Sequence, residues 1–396
     1  MRFPEFDGEW EKYNVSDILN TFPTNSLSWD NLSYKCGKIK NIHYGLIHNG
    51  FDTTCVYTTN KIIPFIKDGN FPLEYTLLKT GDLILADASE NRKDVGRPIE
   101  IINDICENII SGLHTIHARD ESNIAVQGFK GFYFQSKSMK SQIYRIANGS
   151  KIYGISPSNF KELHMCLPDH LEQEKIVVLL RKIETRIQTQ SKIIEDYEEL
   201  KSWITDQIFN REVSTKKLKS LIFEVNQRNK LQLALDVLTV SNKRGFIKQS
   251  EQFEERNVAS EDTSNYKIVC VDQYAYNPAR INVGSIARLN NYEKGIISPM
   301  YTCFEINEEK LNPIYFDLFL KSKSFKSQLN KKLEGSVRQC LIFSGMLSME
   351  IPLPSIQTQS VIAKRISMLD SNIKIENTYL VRLKQQKKYL LDNLFI

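Results

Sequence analysis

Residues Gln135 to Gln142 recur, almost letter for letter, as Lys321 to Gln328, and that repeat constrains the chain more than any other feature. The offset is 321 less 135, or 186 residues, and it runs forward without a gap. Gly149-Ser150 falls on Gly335-Ser336, Leu167-Pro168 on Leu353-Pro354, Gln173 on Gln359, Lys201 on Lys387, Asp206 on Asp392 and Phe209 on Phe395. The chain is a tandem duplication. Upstream the copies match only loosely: Val95-Gly96 lies near Val283-Gly284 (283 less 95, 188) and Gly112 near Gly295 (295 less 112, 183). Each copy thus has a variable front and a length-locked back. Two readings account for the fronts: they recognise two different things, or they have drifted since the duplication.

The backs read as long helices. Apolar residues recur in steps of three and four at Ile176, Leu180, Ile183, Ile187, Ile194, Tyr197, Ile204 and Ile208, and again at Ile362, Ile366, Leu369, Ile373, Leu380, Leu383, Leu390 and Leu394, the stripe of a supercoiling helix. The breaks match too: Gln190 and Glu376 share one stripe position, Lys201 and Lys387 another. No Pro or Gly lies within 169–209 or 355–395, so each helix can run about 40 residues, roughly 60 Å. From this we expect a helix–helix seam of Ile176, Leu180, Ile183, Ile187, Ile194 and Ile204 against Ile362, Ile366, Leu369, Ile373, Leu380 and Leu390. Connectivity makes the pair antiparallel, with a domain at each end and pseudo-two-fold symmetry.

The fronts read as mixed and strand-rich. Short apolar runs at 82–86, 124–126, 266–271 and 300–306 are bounded by Gly, Pro, Asn or Asp and predict strands. Helices are expected at 98–110, 313–332 and 132–147. The fold expected is therefore α+β, with two tandem domains (1–167 and 211–353) and two long antiparallel coiled-coil helices (168–210 and 354–396).

Chemistry is hard to find. The 17 glycines contain no G-x-G pair, which removes both the dinucleotide fingerprint and the phosphate-cradling loop. Asn277-Pro278-Ala279-Arg280 and Asn312-Pro313-Ile314-Tyr315 lack the second Pro of an adenine methyltransferase motif and read as turns. The acids of Asp169-His170-Leu171-Glu172 sit where a helix dipole favours them, and the matching stretch of the second copy, Ser355 to Ser360, has none. His114 and His117, three apart on a strand, face opposite sides and do not chelate one ion; they read as solvated or ligand-contacting. No catalytic residue and no metal site is assigned. The seven Cys (36, 55, 106, 166, 270, 303 and 340) form no C-x-x-C pair and read as reduced core thiols. Lys and Arg number 52 against 47 acids, a net charge of +5 that permits a polyanionic partner without requiring one. No run approaches the roughly 20 apolar residues of a membrane span, so a cytoplasmic location is expected.

The opening Arg2 to Glu11, the segment Gly81 to Ala86, the run Gly295 to Tyr301, and the paired Leu-Pro and Gln-containing helices ending in Phe209 and Phe395 resemble type I restriction-modification specificity subunits. The order of these features, met twice, carries the resemblance over essentially the whole chain. It implies a non-catalytic target-recognition protein that binds double-stranded DNA with a split recognition sequence. The partners implied are two methyltransferase subunits and the restriction/translocase subunits. This chain would need no cofactor; S-adenosylmethionine, ATP and magnesium would belong to the partners, and no membrane is involved. Phosphate contacts would come from Lys and Arg, and base contacts from Arg, Asn, Gln or Lys presented to a groove. The candidates are Lys38, Lys40, Arg92, Lys93, Arg97, His117, Arg119 and Lys151 in copy one, and Asn242, Lys243, Arg244, Arg280, Asn282, Arg288 and Arg338 in copy two. The alternative reading is a structural coiled-coil adaptor without DNA specificity; domains of this size exceed what caps on an adaptor require.

Overall fold

The computed structural model describes residues 1–51, 53–58, 63–103, 105, 107–210, 214–252, 262–335 and 339–395. They form two compact units: Met1–Ile193 with Glu376–Ile396, and Ile194–Ile375.

In unit one a five-stranded sheet runs in the order Asn20–Phe22, Thr115–Arg119, Leu83–Ala86, Pro98–Ile101, Cys55–Val56. Leu83–Ala86 is buried at every position, as a central strand with both faces covered must be. The described residues of 98–110 are not a helix. Pro98-Ile99-Glu100-Ile101 is a buried strand, antiparallel to Leu83–Ala86, and Ile109–Ser111 is another. The β-branched isoleucines favour the sheet, and Pro98 stands at the strand's first residue, where its missing N–H costs least. Residues 124–126 form no strand. A second sheet orders Ile109–Ser111, Lys40–Ile42, Phe65–Ile66, Leu32–Ser33. Unit two holds two four-stranded sheets: Ile222–Val225, Thr302–Ile306, Tyr274–Tyr276, Ile286–Arg288, and Gly245–Lys248, Val237–Ser241, Lys294–Ile297, Lys267–Cys270.

Each expected single helix before the Gly-Ser pairs is two helices, Phe129–Gln135 and Lys137–Ile146 in unit one, Pro313–Lys321 and Lys323–Lys332 in unit two. The break is a serine. Ser136 and Ser322 are extended, and each hydroxyl accepts the backbone N–H three residues on, from Met139 at 3.2 Å and Phe325 at 3.1 Å, the N-cap bond that starts a helix.

From here the units repeat one another bond for bond. Gln142 donates to the His164 carbonyl and accepts from its N–H; Gln328 does the same with Glu350. Gln173 accepts from Val126 N and donates to the Pro168 and Ile124 carbonyls, while Gln359 accepts from Asn312 N and donates to Pro354 and Lys310. Phe395 lies 5.5 Å from both Phe129 and Tyr133; Phe209 lies 5.1 Å from Tyr315 and 5.5 Å from Phe319. All these pairs keep the 186-residue offset, so the locked register begins at residue 124, upstream of the visible repeat.

The long helices span His170–Phe209 and Ile356–Asn393, and within each unit they pair antiparallel. In unit one Ile176, Leu180, Ile183 and Ile187 share a core with Leu390, Leu391, Leu394 and Phe395. Gln190 donates to Glu376 at 2.6 Å and Lys387 to Glu184 at 2.7 Å. In unit two Ile204, Ile208 and Phe209 share a core with Ile362, Ile366 and Leu369, and Lys201 pairs with Asp370. The Lys387 and Lys201 pairs are the same contact under the repeat. Of the remaining expected seam residues, Ile194 is buried while Ile373 and Leu380 are half-buried. Among the described cysteines Cys55 and Cys303 are core thiols, but Cys36 is exposed. No described helix is long and apolar enough to cross a membrane.

Candidate nucleic-acid interface

The structure sorts the expected contact residues by what already occupies them. His117 is fully buried, and its Nε2 meets Asp82 Oδ2 at 2.7 Å. Arg119 binds the same carboxylate through Nε at 2.6 Å and a terminal nitrogen at 2.8 Å, with its guanidinium 4.7 Å from the Phe22 ring centroid. Burial pushes the Asp82 carboxyl up, but the bonds from Arg119 and His117 outweigh it and hold the acid below its ordinary value. His117 is therefore a core residue, neither solvated nor placed to meet a ligand, and Arg119 is committed to Asp82. Arg288 is likewise held, by Asp317 at 2.9 Å and Asp272 at 2.7 Å. Lys40 is paired with Glu107 at 2.5 Å. Lys38 and Lys151 stand exposed on bends, and Arg338 lies outside the described residues. His114, at φ +54°, is half-exposed beside Asp87.

Two groups are brought together. In unit two Val237–Ser241 and Gly245–Lys248 form a hairpin in which Ser241 opposes Gly245. Gly245 at φ +67° closes a three-residue loop, as such loops require, and the loop presents Asn242, Lys243 and Arg244, all exposed. Arg244 reaches Glu251 at 3.6 Å. Asn242 and Arg280 line one cavity of about 340 Å³, and Asn282 is exposed two residues beyond Arg280. Gln249, which sequence reasoning missed, faces the same cavity with a buried Oε1 that has no hydrogen-bond partner.

In unit one Arg92 and Lys93 line a trough of about 780 Å³ together with Lys137, Lys140 and Arg145 of the helix Lys137–Ile146 and with Lys384, Lys387 and Lys388 of the second long helix. Asp94 and Asp392 are its carboxylates. A smaller adjoining cavity adds Arg97, which donates to the His48 carbonyl at 2.8 Å. Arg92 stacks 4.3 Å from the Tyr144 ring centroid. The six cations from the two helices were missed because each helix was read only for its apolar face. The signal existed: Lys384, Lys387 and Lys388 stand three and four apart, one side of a helix.

No group of three His, Cys, Asp or Glu among the described residues is placed to hold a metal ion. Glu172, at the start of the first long helix, is buried and held by Arg2 at 2.6 and 2.8 Å.

Residues 215–385 match the family model of the type I restriction modification DNA specificity domain. The type I restriction enzyme MjaVIII specificity subunit of Methanocaldococcus jannaschii is 22% identical over 291 residues, covering 66% of this chain and 68% of the relative. Two solved structures share the fold. The type I restriction-modification S subunit from M. genitalium superposes with a TM-score of 0.55 at 14% identity, over 100% of this chain and 99% of that one. A structure described as the basis of complex assembly and conformational transition of the type I system superposes at 0.59 and 13% identity, over 98% and 97%.

Proposed function

We propose that this chain is the DNA sequence-recognition subunit of a type I restriction-modification complex, in which each unit reads one half of a bipartite site and the long helices set the spacing. The observation that carries this reading is a framework repeated bond for bond at an offset of 186 residues beneath fronts of unlike strand order. Neutral drift does not demand that the back stay locked while the front changes; reading two different sequences in a constant geometry does. A fixed spacer is physically apt, because DNA repeats its groove orientation about every 34 Å. The chain itself does no chemistry in this reading. Two methyltransferase subunits with S-adenosylmethionine, and restriction/translocase subunits with ATP and magnesium, supply it. A protein partner is supported by Val361, Met368 and Ile375, exposed apolar residues at seven-residue intervals on the second long helix, a pattern that leaves one helix face uncovered.

The test is a chimera in which residues 1–165 are exchanged for those of a relative. Methylome sequencing should show one half of the modified site changed and the other intact. A change in both halves, or in neither, refutes separate reading.

A further inference from the structure

We propose that the trough of unit one is a seat for the phosphate backbone of DNA, one wall of which is supplied by the last turns of the second long helix, and that unit two lacks this wall. The proposal rests on the DNA reading above and adds to it an inequality between the units.

Eight cations line the trough against two carboxylates. Of the cations on its helix wall, Lys387 is spoken for by Glu184, whereas Lys384 and Lys388 are exposed and have no ion-pair partner among the described residues. Crowding like charges is unfavourable unless a counter-charge arrives. Lys140 registers it: burial lowers its pKa first, and Lys387 and Arg97 lower it further against the pull of Asp392 and Asp94. Arg92, its ring-stacked guanidinium fixed over Tyr144, has a buried Nε with no partner. A planar, pre-oriented guanidinium suits the bidentate recognition of phosphate.

The repeat supplies the control. At the 186-residue offset Lys137, Lys140 and Arg145 keep their charge as Lys323, Lys326 and Lys331, but Lys384 becomes Glu198 and Lys388 becomes Ser202. Lys323 is already paired with Asp206 at 2.7 Å and Lys201 with Asp370. The helix facing the cations of unit two therefore carries an acid where unit one carries a lysine, and unit one should hold more of the salt-sensitive affinity.

The experiment measures binding of a fluorescent DNA duplex of random sequence by the full chain, in complex with its methyltransferase partners, between 0.05 and 0.2 M salt. Each phosphate contact contributes about 0.9 to the slope of log affinity on log salt. The double variant Lys384→Ser, Lys388→Ser should lower that slope by about 1.8, so that the affinity lost across this salt range shrinks by roughly 12-fold, with the melting temperature unchanged. Glu198→Lys with Ser202→Lys should raise the slope. An unchanged slope in the first variant overturns the seat, as does an equal fall in a control lacking Lys12 and Lys161, or a variant that keeps its slope but loses a protein partner. A wild-type complex whose DNA binding ignores salt overturns the DNA reading itself.

Discussion

Gln173 offers a direct measure of what holds each unit to its helices. Its side chain accepts from Val126 N at 2.8 Å and donates to the Pro168 carbonyl at 2.9 Å, and it is 1% exposed. Replacing it with leucine keeps roughly the same volume but strands a part-buried N–H and a buried carbonyl. Each orphaned group costs about 1–3 kcal/mol. The leucine's own burial offsets part of this, leaving a loss of about 2–4 kcal/mol. For a unit of this size that lowers the melting temperature by roughly 5–15 °C, at about 2–4 °C per kcal/mol. Because the bond is local, hydrogen exchange should accelerate at residues 124–128 and not at 310–314; Gln359→Leu should do the reverse. Calorimetry with peptide-resolved exchange decides it. A melting shift below about 1 °C, or acceleration in the wrong unit, would refute the claim that these glutamines are equivalent clamps.

Phe395→Ala should cost about 3–5 kcal/mol, since the ring is buried on Phe129 and Tyr133, and Phe209→Ala should cost the same in unit two; denaturation midpoints that differ widely between the two would count against a shared anchor. His43 caps the helix Tyr44–Asn49 by accepting from Gly45 N at 3.1 Å, and burial, with His114 second, lowers its pKa to about 4. The unfolded chain takes up a proton near pH 6.5, so this contribution is complete above 6.5 and is lost as pH falls toward about 4. His43→Asn keeps an accepting cap and should flatten the melting temperature between pH 4 and 7; an identical pH slope in both proteins would sink the assignment.

The serine-capped helix pairs show how far pattern reasoning reaches. The segments 132–147 and 313–332 were legible as helical, but the break at Ser136 and Ser322 was not, because a serine inside an apolar run is tolerated or caps depending on its own ψ. The strand at Pro98–Ile101 is not legible in the sequence, because a short run of isoleucines has no decisive period. Its neighbours, Leu83–Ala86 and Cys55–Val56, decide the matter.

The duplication and the long helices were determined by the sequence alone, since a constant offset and a three-four periodicity are local properties of the chain. Even the matched polar breaks proved informative, with Gln190 set against Glu376. Tertiary structure decided the rest. The glutamine clamps bind backbone atoms, so the residues they grip, Val126 and Asn312, need no likeness. Which cations stay unpaired depends on acids distant in the chain: Asp82 absorbs Arg119, and Asp317 absorbs Arg288, while Arg92 and Lys384 line one trough. Charge is written at each position, but its partner is chosen only by the fold.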